Sequence, residues 1–320
     1  MHPLLSSLKA SLRPSLNSAW WIIRITLPVS LIMTLLQYFG IIQEVAAILE
    51  PVFKLIGLRG EAALVLATSF FINIYSAIAV MVTIPFTWKE VTIMALMCLI
   101  AHNLIVETAI QKKTGSGGIR MFTLRIITAF AAGAFLHGIL QEDGQQLYRA
   151  IPNDPEMAIG TVLTHWARGS LLLVLRLVLI ITGLNFLQKA LETYGLLGKI
   201  SKGLSPLMRF FGLNPANAML WLIANVVGLT YGSAILVSYK ENNRITPADA
   251  DLLNHHLAIS HSLLEDTLLF TLMGVSVFWL TIPRILLATL IVRFLRFIPP
   301  GNPLRKQPVI CRSAENHLGL

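Results

Sequence analysis

Two short stretches place reactive side chains inside apolar sequence. Residues 99–114 read LIAHNLIVETAIQKKT and residues 258–272 read AISHSLLEDTLLFTL, so His-x-x-x-x-acid-Thr occurs twice. The copies are His102, Glu107, Thr108 and His261, Asp266, Thr267. An imidazole beside a carboxylate can shuttle a proton, hold a cation or hydrogen-bond a polar solute. Carboxylates within a membrane-length apolar run are costly and face a cavity, a partner charge or an ion path. On a continuous helix the histidine and the acid stand about 140° apart, so they meet only if the helix is unwound between them. Asn103 with Glu107, and Ser262 with Asp266, do share a face at i,i+4 spacing. His255 extends the second stripe, and Asn254, His261 and Glu265 form a neighbouring one. Arg125 follows Glu107 by 18 residues and Arg284 follows Asp266 by the same 18, giving each acid a candidate charge partner on the next helix.

A second chemistry fits part of this set. His255, His261, Glu265 and Asp266 offer imidazole and carboxylate ligands that suit zinc or ferrous iron. Against it, the first copy carries Leu96 and Met97 where the second has His255 and His256, and no thiolate joins the group. No metal and no cofactor is therefore the leading expectation. A glycine-rich phosphate loop, a nucleophile elbow and an HExxH motif are all missing from the sequence, so it is read as non-enzymatic.

The elements that must position these residues are membrane helices. Of the 320 residues 55% are hydrophobic and only 13% charged, and the mean hydropathy is +0.70. Soluble domains carry about 25% charged residues. Apolar runs of spanning length occur near 18–39, 61–85, 91–111, 119–140, 169–188, 216–238, 252–272 and 275–295. The net charge of +9 fits basic cytoplasmic loops rather than nucleic acid, because no basic stretch is interleaved with aromatics. Cys98 and Cys311 suggest neither a disulfide framework nor a thiolate site. The first apolar run is too long for a signal peptide and reads as a retained helix anchored by Trp20 and Trp21.

The chain is one unit written twice. Gly40 and Gly195, Pro51 and Pro206, and Gly57 and Gly212 share an offset of 155. Thr87 and Thr246, His102 and His261, Gly115 and Gly274, and Arg125 and Arg284 share an offset of 159. Each half then holds a spanning helix, a short amphipathic stretch at the interface, and an apolar segment with a polar middle. A helix opened by Thr87-x-x-Glu90 or Thr246-Pro-x-Asp249 follows, and then a helix carrying the arginine. If every apolar run crossed, the halves would be parallel and the basic segment 112–125 would lie outside. If 61–85 and 216–238 are re-entrant hairpins, the second half is inverted and every loop obeys the positive-inside rule. The expected fold is an all-α membrane protein of two inverted-topology homologous halves. Each has about three spanning helices, an interfacial helix and a re-entrant hairpin. The expected divisions are a cytoplasmic N-terminus (1–13), a first half (14–140), a polar extracytoplasmic linker (141–164), a second half (165–298) and a basic cytoplasmic tail (299–320).

Inverted repeats with re-entrant segments are built around a solute site where the halves meet. Hairpin tips leave backbone groups free to hold a polar solute. The tip candidates are Asn73, Tyr75 and Ser76 in the first half and Asn225, Thr230, Tyr231, Gly232 and Ser233 in the second, of which Asn225, Tyr231 and Ser233 have side chains suited to a solute. With His102, Asn103, Glu107, His261, Ser262 and Asp266 they make the candidate substrate site, and Arg125 and Arg284 are the charge-pair candidates.

NIYSAI (73–78) and AHNLIVET (101–108), with their counterparts TYGSAI (230–235) and HSLLEDT (261–267), resemble the nucleoside-recognition, or Gate, domain. The whole is similar to spore maturation proteins A and B fused end to end. The resemblance implies an inverted-repeat carrier of a nucleoside-like solute. The expected function is thus a multi-pass bacterial inner-membrane secondary transporter of a small polar solute, coupled to H+ or Na+, with membrane lipid around it, oligomers allowed and no nucleic acid partner. The alternatives are a divalent metal ion permease and a non-transporting scaffold of the same fold. The topology is testable. A cysteine at Gly144 should react with an impermeant maleimide added outside intact cells, and one at Ser116 should not; labelling from outside at 116 but not at 144 would refute the inverted arrangement.

Overall fold

The computed structural model describes residues 3–141, 144, 158–226 and 228–297, which fold entirely as helices and their connections. The side chains of residues 3–11, 45, 230, 231 and 234 are outside that description, as are most of the linker and all of the 299–320 tail. In the first half the elements are α1 (Pro3–Tyr38), α2 (Ile41–Lys54), α3 (Ala62–Phe71), α4 (Ile74–Met81), α5 (Trp88–Ala101), α6 (Leu104–Lys113) and α7 (Gly118–Ile139). The second half repeats the order with α8 (Ile159–Thr193), α9 (Leu196–Gly203), α10 (Ser205–Phe211), a 3-10 turn (Pro215–Asn217), α11 (Ala218–Val226), α12 (Leu229–Glu241), α13 (Pro247–Ser260), α14 (Glu265–Thr271) and α15 (Val277–Phe297). The pair α9 and α10 stands where the first half has the single helix α2. Gly203, a poor helix former, precedes Pro206 there, whereas α2 carries Pro51 without a break.

Local chemistry starts and stops these helices in the same way in both halves. Gly40 and Gly195 turn the chain out of the long first helix at φ 74° and 62°, left-handed values that cost glycine nothing. Thr87 caps α5 by accepting from the Glu90 N–H at 3.2 Å, while Glu90 accepts from the Thr87 N–H at 2.8 Å. Thr246 caps α13 by accepting from the Asp249 N–H at 3.1 Å, with Pro247 at the first helical position. Asp249 does not close the reciprocal bond, because its carboxylate accepts from Asn214 Nδ2 instead.

Among the described residues, five stretches are long and apolar enough to cross a membrane: Leu12–Tyr38, Trp88–Lys113, Gly118–Ile139, Ile159–Thr193 and Val277–Phe297. The repeat counterpart of Trp88–Lys113 is α13 with α14, which falls short because Asp251, His255, His256, Glu265 and Asp266 dilute its apolar character. The runs 61–85 and 216–238 are each split into two short helices. At 1.5 Å per residue α3 and α4 are about 15 and 12 Å long, well under the 30 Å of a hydrocarbon core. The split in the first run falls at Ile72–Asn73, where Asn73 caps α4, and in the second α12 starts after Gly228 (φ 103°).

The two halves meet with equivalent helices running in opposite directions. Along α1 and α8, Asn185 donates to Ser15 at 3.0 Å and Trp166 donates to Ser30 at 3.2 Å, so position rises in one helix as it falls in the other. The broken helices do the same. Trp88 Nε1 reaches Gly274 O at 3.3 Å, the rings of His102 and His261 lie 5.0 Å apart, and Ser116 Oγ reaches Asp251 at 2.6 Å. In the second half, the short helices pack closely because Gly232 faces Ala224. A Cβ built on Gly232 would come within 2.9 Å of the Ala224 side chain and 3.0 Å of its backbone. Gly232→Val should therefore cost about 1–3 kcal/mol by overpacking, seen as a lower Tm of the purified protein, whereas Gly169→Ala, where a Cβ meets nothing, should not lower it.

Candidate functional site

The site grows from two interrupted helices. Helix α5 ends at Ala101, His102 is extended (ψ 158°), Asn103 is left-handed (φ 46°), and α6 begins at Leu104. In the second half His261 is extended (ψ 163°), Ser262 is left-handed (φ 51°), and α14 follows. Asparagine tolerates the left-handed region better than serine, so the second break depends more on its surroundings. Each interruption frees backbone groups that a membrane interior cannot hydrate. Arginine takes up the carbonyls. Arg125 donates through Nε to Ile100 O at 2.8 Å and through Nη2 to His102 O at 2.8 Å. Arg284 donates through Nε to Ile259 O at 3.0 Å and through Nη2 to His261 O. The freed N–H groups go the other way: Asn103 N–H donates to Ser69 O on α3 at 2.8 Å, and Ser262 N–H donates to Ala224 O on α11 at 3.2 Å. Each break is thus held between the arginine helix and the first short helix of its own half.

The breaks turn both histidines toward the same point. The Nδ1–H of His102 donates to Cys98 O at 3.0 Å, and that of His261 to Leu257 O at 2.8 Å. A carbonyl only accepts, so this network assigns a proton to each Nδ1 and leaves Nε2 facing the centre. There His102 Nε2 lies 3.0 Å from Glu107 Oε1 and 3.4 Å from Asp266 Oδ2, while His261 Nε2 lies 3.0 Å from Glu107 Oε2. Arg125 Nη2 pairs with Glu107 Oε2 at 2.7 Å. Each histidine therefore touches a carboxylate of the opposite half. All six of His102, Glu107, Arg125, His261, Asp266 and Arg284 are buried, both arginines completely.

The remaining candidates take varied places. His102 and Glu107, which a continuous helix would hold apart, meet because the chain is unwound between them. Arg284 does not mirror Arg125: its Nη1 reaches Thr267 Oγ1 at 3.4 Å, and no ion pair joins it to Asp266 among the described residues. The reason is that Asp266 is turned across the interface toward His102. Asn103 and Ser262 serve the backbone bend. Asn73 Oδ1 accepts from the Ser76 N–H at 2.8 Å, and Asn225 Nδ2 donates to Trp221 O at 2.8 Å. Asn73 Nδ2, Ser76 Oγ and Asn225 Oδ1 are buried without a hydrogen-bond partner among the described residues. Tyr75 donates to Glu265 Oε1 at 2.8 Å, tying the first tip to the second half. Ser233 lines a small crevice with Thr114, Gly232 and Asn254, to which neither His102 nor His261 contributes. The side chain of Tyr231 lies outside the described residues.

His255 stands apart from the centre, its Nδ1 on Asp251 O at 2.7 Å, so the set His255, His261, Glu265 and Asp266 does not form one cluster. The group whose ligand atoms converge is His102, Glu107 and His261, all within 4.8 Å of one another. Sequence reasoning also missed a second buried network between the halves. Asp251 accepts from Ser116 Oγ and pairs with Arg120, while Asn254 Nδ2 donates to Thr114 Oγ1 at 2.9 Å and Ser116 Oγ at 3.0 Å. The one available signal was Asp251, an acid set among apolar neighbours.

The unequal arginines give a direct test. Arg125→Met strands a buried carboxylate and should cost about 3–5 kcal/mol, part of it recovered in Arg125→Met/Glu107→Gln. Arg284→Met with Asp266→Asn should show little coupling, within about 0.5 kcal/mol. Double-mutant cycles from unfolding of the purified protein measure both, and equal coupling in the two pairs would contradict the asymmetry.

Residues 19–117 match a family model described as Gate, nucleoside recognition, a stretch running from within α1 past α6 and including the first break. An uncharacterized membrane protein of Bacillus subtilis, YvoD, is 29% identical over 286 residues, which cover 88% of this chain and 91% of its own length. No solved structure matches the chain. With five spanning-length apolar helices among the described residues, the chain is a membrane protein, and its residues 19–117 are similar to the Gate, nucleoside-recognition, family.

Proposed function

We propose that this protein is a secondary transporter of a small polar solute, nucleoside-like by its family's description, working in a bacterial inner membrane with both termini cytoplasmic. The observation that carries this reading is the crossing itself: two broken helices, one from each half, run antiparallel and bring their breaks to one buried polar point. Antiparallel packing of equivalent helices is what two inverted halves produce, and the short packed pairs α3–α4 and α11–α12 suit hairpins that enter and leave on one side. The unpartnered atoms of Asn73, Ser76 and Asn225 supply the hydrogen-bonding capacity a polar solute would use.

Each side of the crossing is closed by its own contacts between the halves. On one side Tyr75 bonds to Glu265 and Trp88 to Gly274; on the other Ser116 and Arg120 hold Asp251. Opening one set while the other stays closed would expose the centre to one face of the membrane at a time. The left-handed residues Asn103 and Ser262 are the natural hinges, since the helix is already interrupted there.

Thiol accessibility tests this without knowing the solute. With Cys98 and Cys311 replaced, a cysteine at Asn103 should react with a small thiol reagent added to either side of sealed vesicles. Reaction from neither side would indicate a scaffold, reaction from one side only a static vestibule, and either contradicts the carrier. Protection of that cysteine by adenosine or uridine would support the nucleoside class; protection by no nucleoside would remove that part of the reading.

A further inference from the structure

We infer that the crossing binds a divalent transition-metal ion, ligated by Nε2 of His102, Nε2 of His261 and the carboxylate of Glu107, with Asp266 beside it. The inference rests on the geometry of the crossing and stands independently of what solute the protein carries.

Three observations lead there. First, the ligand atoms come from three different segments and both halves, yet all lie within 4.8 Å of one another. Ligands on a tetrahedral ion with bonds near 2.1 Å are about 3.4 Å apart, so closure needs only small shifts. Second, the surroundings of each ligand are those a metal site requires. Both imidazoles donate Nδ1–H to a backbone carbonyl, which fixes ring orientation and leaves the Nε2 lone pair pointing inward. Arg125 fixes Glu107 through Oε2 at 2.7 Å and leaves Oε1 toward His102. Third, with Nδ1 of each imidazole bound to a carbonyl, the two Nε2 atoms face carboxylate oxygens at 3.0, 3.0 and 3.4 Å. These contacts need either a proton on Nε2 or a cation between the atoms, and one cation would draw all of them together.

Two imidazoles with carboxylate and no thiolate suit zinc, cobalt, iron(II) or manganese rather than calcium or magnesium. A proton on Nε2 would also relieve the acceptor contacts, and that competing explanation predicts no uptake of metal.

The full-length protein, purified in detergent and stripped with a chelator, should bind about one Co2+ per chain on dialysis and develop visible absorption bands. His102→Gln and His261→Gln should each weaken binding by at least about tenfold, while His255→Gln, outside the cluster, should not. If either glutamine variant fails to fold, X-ray absorption of the zinc-loaded wild type still decides, with two imidazole nitrogens plus oxygen expected. No stoichiometric binding, binding kept in both folded glutamine variants, or an all-oxygen shell would overturn the assignment. Loss of metal binding alongside intact two-sided thiol access at Asn103 would remove the metal site and leave the carrier; the converse would leave the site without the carrier.

Discussion

A helix interrupted inside apolar surroundings must find new partners for the backbone groups it frees, and the rest of this structure is organised around that need. Two of the interruptions, at His102–Asn103 and His261–Ser262, meet where the halves cross, and neither can rely on water. The solution is the same in both. A fully buried arginine from the last helix of the half takes two carbonyls, and a backbone carbonyl of the first short helix takes the freed N–H. The short helices and the arginine helix therefore stand on opposite sides of each break, and their placement fixes where the halves can touch.

Once the breaks are stabilised in this way, the histidines have little choice of direction. Each leaves its helix in extended conformation with Nδ1 bound to the carbonyl four residues back, so Nε2 points into the partner half. The carboxylates then divide unequally. Glu107 touches both histidines and Arg125, while Asp266 touches His102 and leaves Arg284 to Thr267. Two copies of one motif thus form a single asymmetric centre, and asymmetry is what allows a repeat to carry different tasks in its two halves.

Much of this was legible in the sequence because duplication doubles every signal. The repeat offsets located the equivalent elements, the Thr87 and Thr246 caps located the starts of α5 and α13, and the pairing of acid with downstream arginine pointed to adjacent helices. What the sequence hid was the break. Asn103 and Ser262 are ordinary residues whose left-handed backbone shows only in the fold, and a continuous helix would have kept His102 away from Glu107. For the same reason the arginines looked like counter-ions alone, whereas most of their hydrogen bonds go to backbone carbonyls. The network of Asp251, Asn254, Ser116 and Arg120 was harder to read for a different cause: Asp251 and Asn254 stand out locally, but their partners lie about 135 positions away with no local pattern to link them.

The central claim is that the two broken helices cross antiparallel with their breaks together, and paired-cysteine cross-linking in native membranes tests it most directly. With Cys98 and Cys311 replaced, Trp88→Cys should link to Gly274→Cys, and Thr114→Cys to Asn254→Cys, through a short bifunctional reagent. A link from Trp88→Cys to Pro247→Cys, with none to Gly274→Cys, would mean that the helices run parallel and would contradict the account.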